Sequence, residues 1–350
     1  MKIISDFFGG NIRTLSIEND TVHLDVDMRD SSGDWFYWAF AVEGAAGRTL
    51  HFVFPKNRVG YYGPAVSHDL SSWEWLGCKD GEDEFSYTFG KDEGRVYFAH
   101  HILYPEHRID TLCEEYGLQR GVLCKGRCGS DVPLLSFGSG SNVILLTARH
   151  HACESTGSYV LEGVIRGLCE NGIKDISVFA VPFVDYDGYK NGDQGKNRRP
   201  YDHNRDYDSE IPSIYPETEA IKRLAKENDI RFAFDFHSPW HKGGGNDVVM
   251  IIQKASVDRL KRFGRLLEES LTEDALRYET KNDLAPGVDW NNPDSPTFAK
   301  YMMATAQAEM AFTLETAYFG EPNNVVSAKK CIELGKSFAD AIKKYMEGDV

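Results

Sequence analysis

The sequence predicts a two-part chain, with an antiparallel β-sandwich over residues 1–108 and an α/β domain over residues 109–350. Short strand-like runs separated by turn residues fill the first hundred positions, where long helical periodicity is absent. From about residue 142 onward, strand-like and helix-like segments alternate. A length of 350 residues is comfortable for two domains.

The first part contains four segments typical of strands. Their apolar residues alternate with polar ones or form short runs, and turn clusters such as DSSGD and CKDGEDE lie between them. The predicted strands are residues 22–28, 35–42, 50–54 and 93–102. Because the strands follow one another with turn residues between them, we expect a small antiparallel sandwich.

The second part begins with a predicted linking helix at 109–118 and a loop-rich stretch around 126–140. Continuous apolar runs then indicate strands that are buried on both faces. These and two further predicted strands are residues 143–148, 176–184, 230–236, 247–252 and 311–317. Helical spacing of apolar residues predicts helices after residue 155, at 216–229, near 255–271 and at 325–346.

Composition excludes several classes of partner. The chain has 39 Lys and Arg against 54 Asp and Glu, which gives a net charge of −15. Such a surface repels phosphate backbones and anionic lipids, so we expect neither nucleic-acid nor membrane partners. The first residues lack the features of a secretory signal, and the seven cysteines are odd in number and thinly spread. These features predict reduced thiols and a cytoplasmic location.

Polar residues follow the predicted strands at one expected sheet edge. The segment 149–154 follows the first buried strand, a long polar loop at 185–208 follows the second, and His237 follows the third. Glu315 lies within the last predicted strand between apolar residues. Because sites in open α/β sheets form beyond the carboxyl ends of strands, we expect a functional site here.

His151, Glu154 and His237 could form a zinc site. His151 and Glu154 are three residues apart at the start of a helix, so their side chains can converge. Two histidines and one carboxylate, with a fourth position left open, are a common catalytic zinc set. The pattern His-x-x-Glu alone is unspecific, and His237 or Glu315 could equally be structural. Their joint occurrence at successive strand ends favours the metal site.

The loop between the second and third buried strands concentrates positive charge in an otherwise acidic chain. A solvated surface is the usual explanation for such a run, but its place between two ligand segments favours anion binding. The basic residues of this loop are Lys190, Lys196, Arg198, Arg199 and Arg205.

Several segments, in order along the chain, resemble the M14 zinc carboxypeptidases, in particular their cytosolic branch. LTARHHACESTGSYVLEG is similar to the first metal-binding segment of that family, which reads Ala-Arg-x-His-Pro-x-Glu. VPFVDYDG resembles its Asn-Pro-Asp-Gly stretch and YDHNRDY its Asp-Leu-Asn-Arg segment. FAFDFHSPW and FTLETAYFG resemble the strands that bear the third ligand and the catalytic glutamate. GGNI, DWFYWAFAV and VYFAHHILYPEHRID resemble the β-domain that precedes the catalytic domain.

The resemblance implies a fold and a set of roles. The second domain would be carboxypeptidase-like, with a mixed central sheet flanked by helices. One Zn²⁺ per chain would be bound by His151, Glu154 and His237, and Glu315 would be the general base that deprotonates the zinc-bound water. The substrate carboxylate would be bound by Asn204 and Arg205, and Asp202 would hold His151 from the far side.

Other positions depart from the family pattern. No basic residue matches the family's carbonyl-polarising arginine unambiguously; we expect Arg198 to take this role, with Arg199 and Lys196 as rivals. His150 has neither the spacing to Glu154 nor the Ala-Arg-x-His frame, so we expect it not to bind zinc. A catalytic tyrosine cannot be placed.

The predicted function is therefore a zinc metallocarboxypeptidase, a hydrolase that acts on the C-terminus of a peptide or protein. A zinc amidohydrolase of the aspartoacylase or succinylglutamate desuccinylase type shares the His-x-x-Glu and His pattern and remains an alternative. A non-catalytic protein with the same fold is a second alternative. The preferred C-terminal side chain and the oligomeric state are not predicted, although the net charge argues slightly against acidic substrates.

Overall fold

The computed structural model describes residues 1–56, 58–77, 83–239, 247–254 and 258–348. Part of the CKDGEDE cluster, the end of FAFDFHSPW and the start of the helix predicted near 255–271 therefore lie outside the described residues. Within the described ranges, none of the helices is both long and apolar enough to cross a membrane.

Two sheets pack face to face in the first hundred residues. One has the strand order β1-β4-β9-β6-β7 and the other the order β2-β3-β5-β8. The pairings are antiparallel except that β3 and β5 run parallel. The strands are β1 (Lys2–Ile4), β2 (Arg13–Glu18), β3 (Thr21–Asp25), β4 (Ala39–Glu43), β5 (Thr49–Val53), β6 (Ala65–Ser67), β7 (Glu74–Trp75), β8 (Glu84–Thr88) and β9 (Arg95–Ala99).

Aromatic side chains form the core of this sandwich. Phe40, Phe52 and Phe98 are fully buried, and the ring of Phe52 stacks on that of Phe85 at 4.8 Å. The strand predicted at 35–42 begins only at Ala39. The reason is that the backbone N–H and carbonyl of Tyr37 bond to the side chain of Gln194, at 2.9 and 2.8 Å, instead of to a strand.

The second part is built on a seven-stranded mixed sheet with the order β10-β11-β13-β12-β14-β16-β15. The central strands β13, β12, β14 and β16 are parallel, whereas β10, β11 and β15 are antiparallel to their neighbours. The strands are β10 (Gln119–Lys125), β11 (Asp131–Gly138), β12 (Asn142–Ala148), β13 (Ile176–Val181), β14 (Ile230–His237), β15 (Met250–Ile252), β16 (Met310–Glu315), and a separate hairpin of β17 (Gly320–Glu321) and β18 (Asn324–Val325). The predicted mixed sheet is confirmed.

Helices flank this sheet. They are α1 (His107–Tyr116), α2 (Ser155–Glu170), α3 (Tyr186–Asn191), α4 (Pro216–Glu227), α5 (Asp258–Ser270), α6 (Phe298–Ala304) and α7 (Ala328–Glu347). The loop-rich expectation for 126–140 is wrong over most of its length, because Asp131–Gly138 is a strand whose Val132 and Leu135 are buried. Helices α3 and α6 were not predicted, since both are too short to show helical periodicity.

Residues that follow the last strand of the sandwich contact the sheet edge at which the polar segments lie. The ring nitrogen Nε2 of His101 lies 2.8 Å from the carbonyl oxygen of Cys153. The Tyr159 hydroxyl donates to the Leu103 carbonyl at 2.6 Å. Residues 101–103, which follow β9, therefore contact the segment that carries His151 and Glu154.

Candidate metal centre and catalytic pocket

The site lies at the carboxyl ends of three adjacent parallel strands. β12, β14 and β16 are neighbours in the sheet and run in the same direction. In the register of β14 and β16, His237 lies directly opposite Glu315. Because these strands end at one edge, the polar residues at their ends are brought together, as the sequence predicts.

A left-handed turn separates the two adjacent histidines. Arg149 has a φ of 62°, a conformation that few residues other than glycine adopt. Its buried guanidinium donates to Ser158 Oγ at 3.0 Å and to the Ala152 carbonyl. Because this turn interrupts the alternation of the strand, His150 is fully buried, whereas His151 lines a cavity.

A close approach of α2 to β14 brings Glu154 to His237. A Cβ atom at Gly157 would lie 2.7 Å from the carbonyl oxygen of Phe236, which no side chain tolerates. Glycine at this position therefore lets the first turn of α2 sit against the end of β14. Glu154, directly before α2, then reaches His237.

The three predicted ligands converge. Nδ1 of His151 lies 2.8 Å from Oε1 of Glu154, and Nδ1 of His237 lies 2.7 Å from Oε2 of the same carboxylate. One donor atom from each of the three residues lies within 4.8 Å of the other two. Two imidazoles and one carboxylate are a donor set that suits zinc.

The far nitrogens of both imidazoles face carboxylates. Nε2 of His151 lies 3.5 Å from Oδ1 of Asp202, and Nε2 of His237 lies 2.7 Å from Oδ2 of Asp235. Burial raises the pKa of Asp202 and of Asp235. The charge of His151 outweighs this at Asp202, and the charges of His150 and His237 outweigh it at Asp235, so both pKa values are lowered. The ionised Asp235 accepts the Nε2 proton of His237, and Asp202 faces Nε2 of His151 at the longer distance, so that Nδ1 of each imidazole is the atom directed at Glu154.

Glu154 is a buried carboxylate among groups that can carry positive charge. Besides the two imidazoles, Nζ of Lys196 lies 2.5 Å from its Oε1. Burial raises the pKa of Glu154, but the charges of His151, Lys196 and His237 outweigh this and hold it well below its usual range. The carboxylate is therefore ionised and able to bind a cation. The donor set, the carboxylates that face the far nitrogens of its imidazoles and this ionised glutamate all fit a zinc ion.

His150 has both ring nitrogens in use elsewhere. Its Nδ1 lies 2.8 Å from Oδ1 of Asp235, and its Nε2 lies 2.7 Å from the hydroxyl oxygen of Tyr207. Burial lowers the pKa of His150 despite the opposing charge of Asp235. This placement supports the prediction that His150 does not bind the metal with His151 and Glu154.

A cavity of about 310 Å³ opens beside the metal donors. Glu315, which is only 7% exposed, lines it. Burial raises the pKa of Glu315 to about 7 against the opposing charge of His237, with a further contribution from Glu154. Besides Glu315, the metal donors and Asp202, the lining residues are Trp35, Lys196, Asn197, Asn204, Arg205, Ser238, Pro239, Ile252, Lys254, Trp290, Thr297 and Thr313.

Basic and polar groups line the same cavity as Glu315. Asn204 and Arg205, the predicted carboxylate-binding pair, lie in the 3-10 turn His203–Arg205. The Asn204 amide nitrogen lies 3.3 Å from Nε2 of His237, and its carbonyl oxygen accepts from the Phe298 N–H at 3.1 Å. The side chain of Arg205 is exposed at the cavity wall. Asn204 is thus fixed, whereas Arg205 is accessible to a ligand.

Lys254 is a cavity residue that the sequence analysis did not identify. Its ammonium donates to Asn291 Oδ1 at 2.8 Å and to the Asn292 carbonyl at 3.2 Å. Burial, and then the charge of Arg205, lowers the pKa of Lys254 to about 8. Lys254 follows the edge strand β15, which runs antiparallel to β16, so the carboxyl end of β15 does not lie at the edge where β14 and β16 end and the strand-end rule could not have found it.

Arg198 lies on the opposite side of its loop from this cavity. Its guanidinium contacts Asp30 at 3.1 Å, Asp185 at 2.7 Å and Asp193 at 2.8 Å. A guanidinium held by three carboxylates is not available to polarise a substrate carbonyl. The structure therefore does not bring Arg198 to the site, and Lys196 is better placed among the residues considered for this role.

Comparison with known proteins identifies the fold. Residues 3–101 match the family model for the cytosolic carboxypeptidase N-terminal domain. The fold superposes with a TM-score of 0.82 on the crystal structure of a metallo-carboxypeptidase from Burkholderia cenocepacia, at 16% identity, over 100% of this chain and 99% of that one. The chain therefore has the metallocarboxypeptidase fold.

Sequence relatives point to one branch of that class. The chain is 27% identical over 214 residues to cytosolic carboxypeptidase 2 of Xenopus tropicalis, a match that covers 52% of this chain and 22% of the frog protein. It is also 22% identical over 307 residues to an uncharacterised protein of Zymomonas mobilis, which covers 81% of this chain and 80% of that protein. The predicted resemblance to the cytosolic branch of the M14 carboxypeptidases is confirmed.

Proposed function

We propose that this chain is a zinc-dependent metallocarboxypeptidase that hydrolyses the C-terminal peptide bond of a peptide or protein. The observation that carries the proposal is one cavity that holds a two-imidazole, one-carboxylate donor set, a separate buried carboxylate and an accessible guanidinium. The match of residues 3–101 to a carboxypeptidase N-terminal domain supports this activity over the deacylase alternative. The fold and the donor set suit one zinc ion per chain.

His151, Glu154 and His237 would hold the metal, and Asp202 and Asp235 would keep both imidazoles oriented. A bound zinc ion supplies Lewis acidity and a nucleophile at neutral pH. The protein supplies the remaining parts of peptide hydrolysis, which are a proton carrier and groups that bind the substrate.

Glu315 is the proposed proton carrier. Because it is not one of the three converging donors, it is free to accept a proton from the attacking water and to pass it to the departing amine. A pKa raised to about 7 by burial suits a group that must both accept and release a proton near neutrality. Its position opposite His237 places it next to the metal donors.

Arg205 and Asn204 are the proposed contacts for the terminal carboxylate of the substrate. A guanidinium can bind a carboxylate through two parallel hydrogen bonds, which selects a free C-terminus. Lys196, rather than Arg198, is proposed to stabilise the negative charge that develops on the scissile carbonyl oxygen, because its ammonium lies in the cavity beside Glu154.

Lys254 suggests a preference for acidic C-terminal side chains. Its hydrogen bonds go to two neutral oxygens, and the second cause that lowers its pKa, after burial, is repulsion by the charge of Arg205, which the charge of Glu315 opposes. An acidic side chain would relieve this repulsion.

We propose a cytoplasmic location as well, supported by the free state of the six described cysteines and by the name of the matched family.

Glu315→Gln tests the proposed activity. The variant should keep about one zinc per chain, as determined by metal analysis, because no ligand is removed. It should lose about 10²- to 10⁴-fold in kcat on a peptide with a free C-terminus, because the proton carrier is gone. Glu321→Gln, at an exposed glutamate outside the cavity, is the matched control. Full activity of Glu315→Gln would contradict the role of Glu315.

Peptides that differ only in the last residue test the acidic preference. A C-terminal glutamate should be released faster than lysine, and Lys254→Met should reduce that preference about tenfold by removing one charge-assisted contact. Lys329→Met, at an exposed lysine outside the cavity lining, should leave the preference unchanged. A wild-type preference for lysine would exclude the acidic class.

A further inference from the structure

A continuous chain of hydrogen bonds leads from the candidate ligand His237 into the protein interior. Asp235 bonds to His237 at 2.7 Å through one oxygen and to His150 at 2.8 Å through the other. His150 in turn lies 2.7 Å from the hydroxyl of Tyr207. All four side chains are at least 98% buried, so water does not substitute for any of these contacts.

The direction of each hydrogen bond follows from the ionised carboxylate of Asp235, which can only accept. Its Oδ1 accepts from the Thr147 hydroxyl at 2.8 Å and from Nδ1 of His150. Its Oδ2 accepts from Nε2 of His237. With its proton on Nδ1, a neutral His150 accepts the Tyr207 hydroxyl proton at Nε2. His237, with its proton on Nε2, presents an unprotonated Nδ1 toward Glu154.

The same residues could be taken for a second metal site, since donor atoms of His150, Asp235 and His237 also lie within 4.8 Å of one another. Each of these atoms already takes part in a hydrogen bond of the chain just described. A cation between them would displace these bonds and leave the buried hydroxyl of Tyr207 without its acceptor, which is costly. The group is therefore better explained as a network that holds a ligand.

We propose that His150 is a positioning residue that fixes Asp235 and thereby keeps Nδ1 of His237 directed at the metal. The backbone supports this arrangement. Asp235 lies opposite Thr147 in the β12–β14 register, and the left-handed turn at Arg149 is followed by the fully buried His150. The inference rests on the proposed function only in requiring that zinc bind His151, Glu154 and His237. His150 takes no part in bond breaking.

Two polar variants separate the contacts of His150. Asparagine places its amide nitrogen near the position of Nδ1, so His150→Asn keeps a donor for Asp235. Glutamine places its amide near Nε2, so His150→Gln keeps a partner for Tyr207 but loses the donor to Asp235. The measurement is the zinc dissociation constant of the full chain, obtained by competition with a chromogenic chelator.

We expect His150→Gln to weaken zinc binding about tenfold, as loss of an outer-shell partner does, and His150→Asn to stay within about threefold of the wild type. The visible absorption spectrum of the Co²⁺-substituted protein should change in the Gln variant and not in the Asn variant. A purely structural role for His150 would lower stability in both variants without this ordering.

Two tyrosine variants provide a test that does not depend on how well the Gln variant folds. Tyr207→Phe removes the far end of the chain and should weaken zinc binding by about twofold to threefold, less than loss of a direct outer-shell partner. Tyr301→Phe is the control, because its buried hydroxyl has no hydrogen-bond partner among the described residues.

Two results would overturn the positioning role of His150. Equal zinc affinity of His150→Asn and His150→Gln would contradict the positioning role of His150. If His150→Gln does not fold, equal zinc affinity of Tyr207→Phe and Tyr301→Phe would contradict it. A wild-type chain that binds no zinc would instead contradict the proposed function. The two failures are therefore distinguishable.

Discussion

The loop from Gly195 to Arg205 has two faces that carry the same kinds of residue in different surroundings. On one face, Lys196 and Arg205 line the 310 Å³ cavity with Glu315. On the other, Arg198 and His203 line a separate cavity of about 240 Å³ among acidic side chains. Gly195, with a φ of 74°, holds the loop against the metal-binding segment, where a Cβ would lie 2.2 Å from the Ala152 nitrogen.

The difference between the faces lies in how far each cation is neutralised. Arg198 contacts three carboxylates, whereas Lys196 contacts one and Arg205 lines the cavity with an exposed side chain. Basic residues that look equivalent in the sequence therefore divide into one that is held by carboxylates and two that line the cavity. Substitutions of Arg198, Lys196 and Arg205 test that division.

The largest effect should come from Arg198→Met, and it should be on stability. Removing the guanidinium leaves the buried Asp185 and the partly buried Asp30 and Asp193 without their cation, so the free energy of unfolding should fall by about 3–5 kcal/mol. Urea unfolding measures this change, and Arg199→Met, at an exposed neighbour, should show none. If Arg198→Met keeps full stability but loses catalysis, Arg198 belongs to the active site after all.

Lys196→Met should have the next largest effect, and it should be on catalysis. Loss of a charge aimed at the developing oxyanion costs about 10²- to 10³-fold in kcat. The rate is measured at saturating zinc, because Lys196 also contacts Glu154. Lys190→Met, in the nearby helix α3 and outside the cavity lining, is the control. Wild-type kcat in Lys196→Met would remove Lys196 from the mechanism.

Arg205→Ala should reduce kcat/KM on peptides with a free C-terminus by about 10- to 100-fold, the value of a hydrogen bond to a charged group. Peptides with an amidated C-terminus should be poor substrates of both proteins and should not distinguish them. Competition assays with the two peptide forms measure this difference. An equal loss on both forms would mean that Arg205 does not contact the carboxylate.

The pH dependence of kcat/KM should be the mildest of these effects. Glu315 must be ionised to accept a proton, so kcat/KM should fall as pH drops through its pKa, by about tenfold per unit. Burial raises that pKa to about 7, and the charge of bound zinc should lower it somewhat. Rates of the zinc-loaded protein, measured across the neutral range, should therefore show an acid limb with a midpoint below about 7. A rate that rises toward low pH would contradict the assignment.

Residues held by strands were predictable from the sequence. His151 and Glu154 follow from spacing at the start of a helix, and His237 and Glu315 from their positions at the ends of buried strands. The register that sets His237 opposite Glu315 is fixed by neighbouring parallel strands, whose hydrophobic runs are visible in the sequence. The sandwich and the α/β character of the second part follow from the same patterns, whereas the mixed sheet was implied by the family resemblance.

The directions of loop side chains were not predictable from periodic patterns, and Asp202, Asn204 and Arg205 were identified only through the family resemblance. The side chains of Lys196 and Arg198 point to opposite faces because of backbone angles such as the φ of 49° at Asn197, for which the sequence has no periodic signal. Lys254 was missed because it follows an antiparallel edge strand, β15, whose carboxyl end does not lie at the edge where the parallel strands end. Asp235 could have been inferred. It lies two residues before His237 on the same strand, and residues two apart on a strand share a face of the sheet.

The most direct test of the account is mass spectrometry of two peptides, identical except for a free or amidated C-terminus, incubated with the protein before and after removal of metal by a chelator. The account predicts loss of a single C-terminal residue from the free peptide alone, abolished by the chelator and restored by about one equivalent of zinc per chain. Internal cleavage, release that persists in the chelator, or no release at saturating zinc would contradict it.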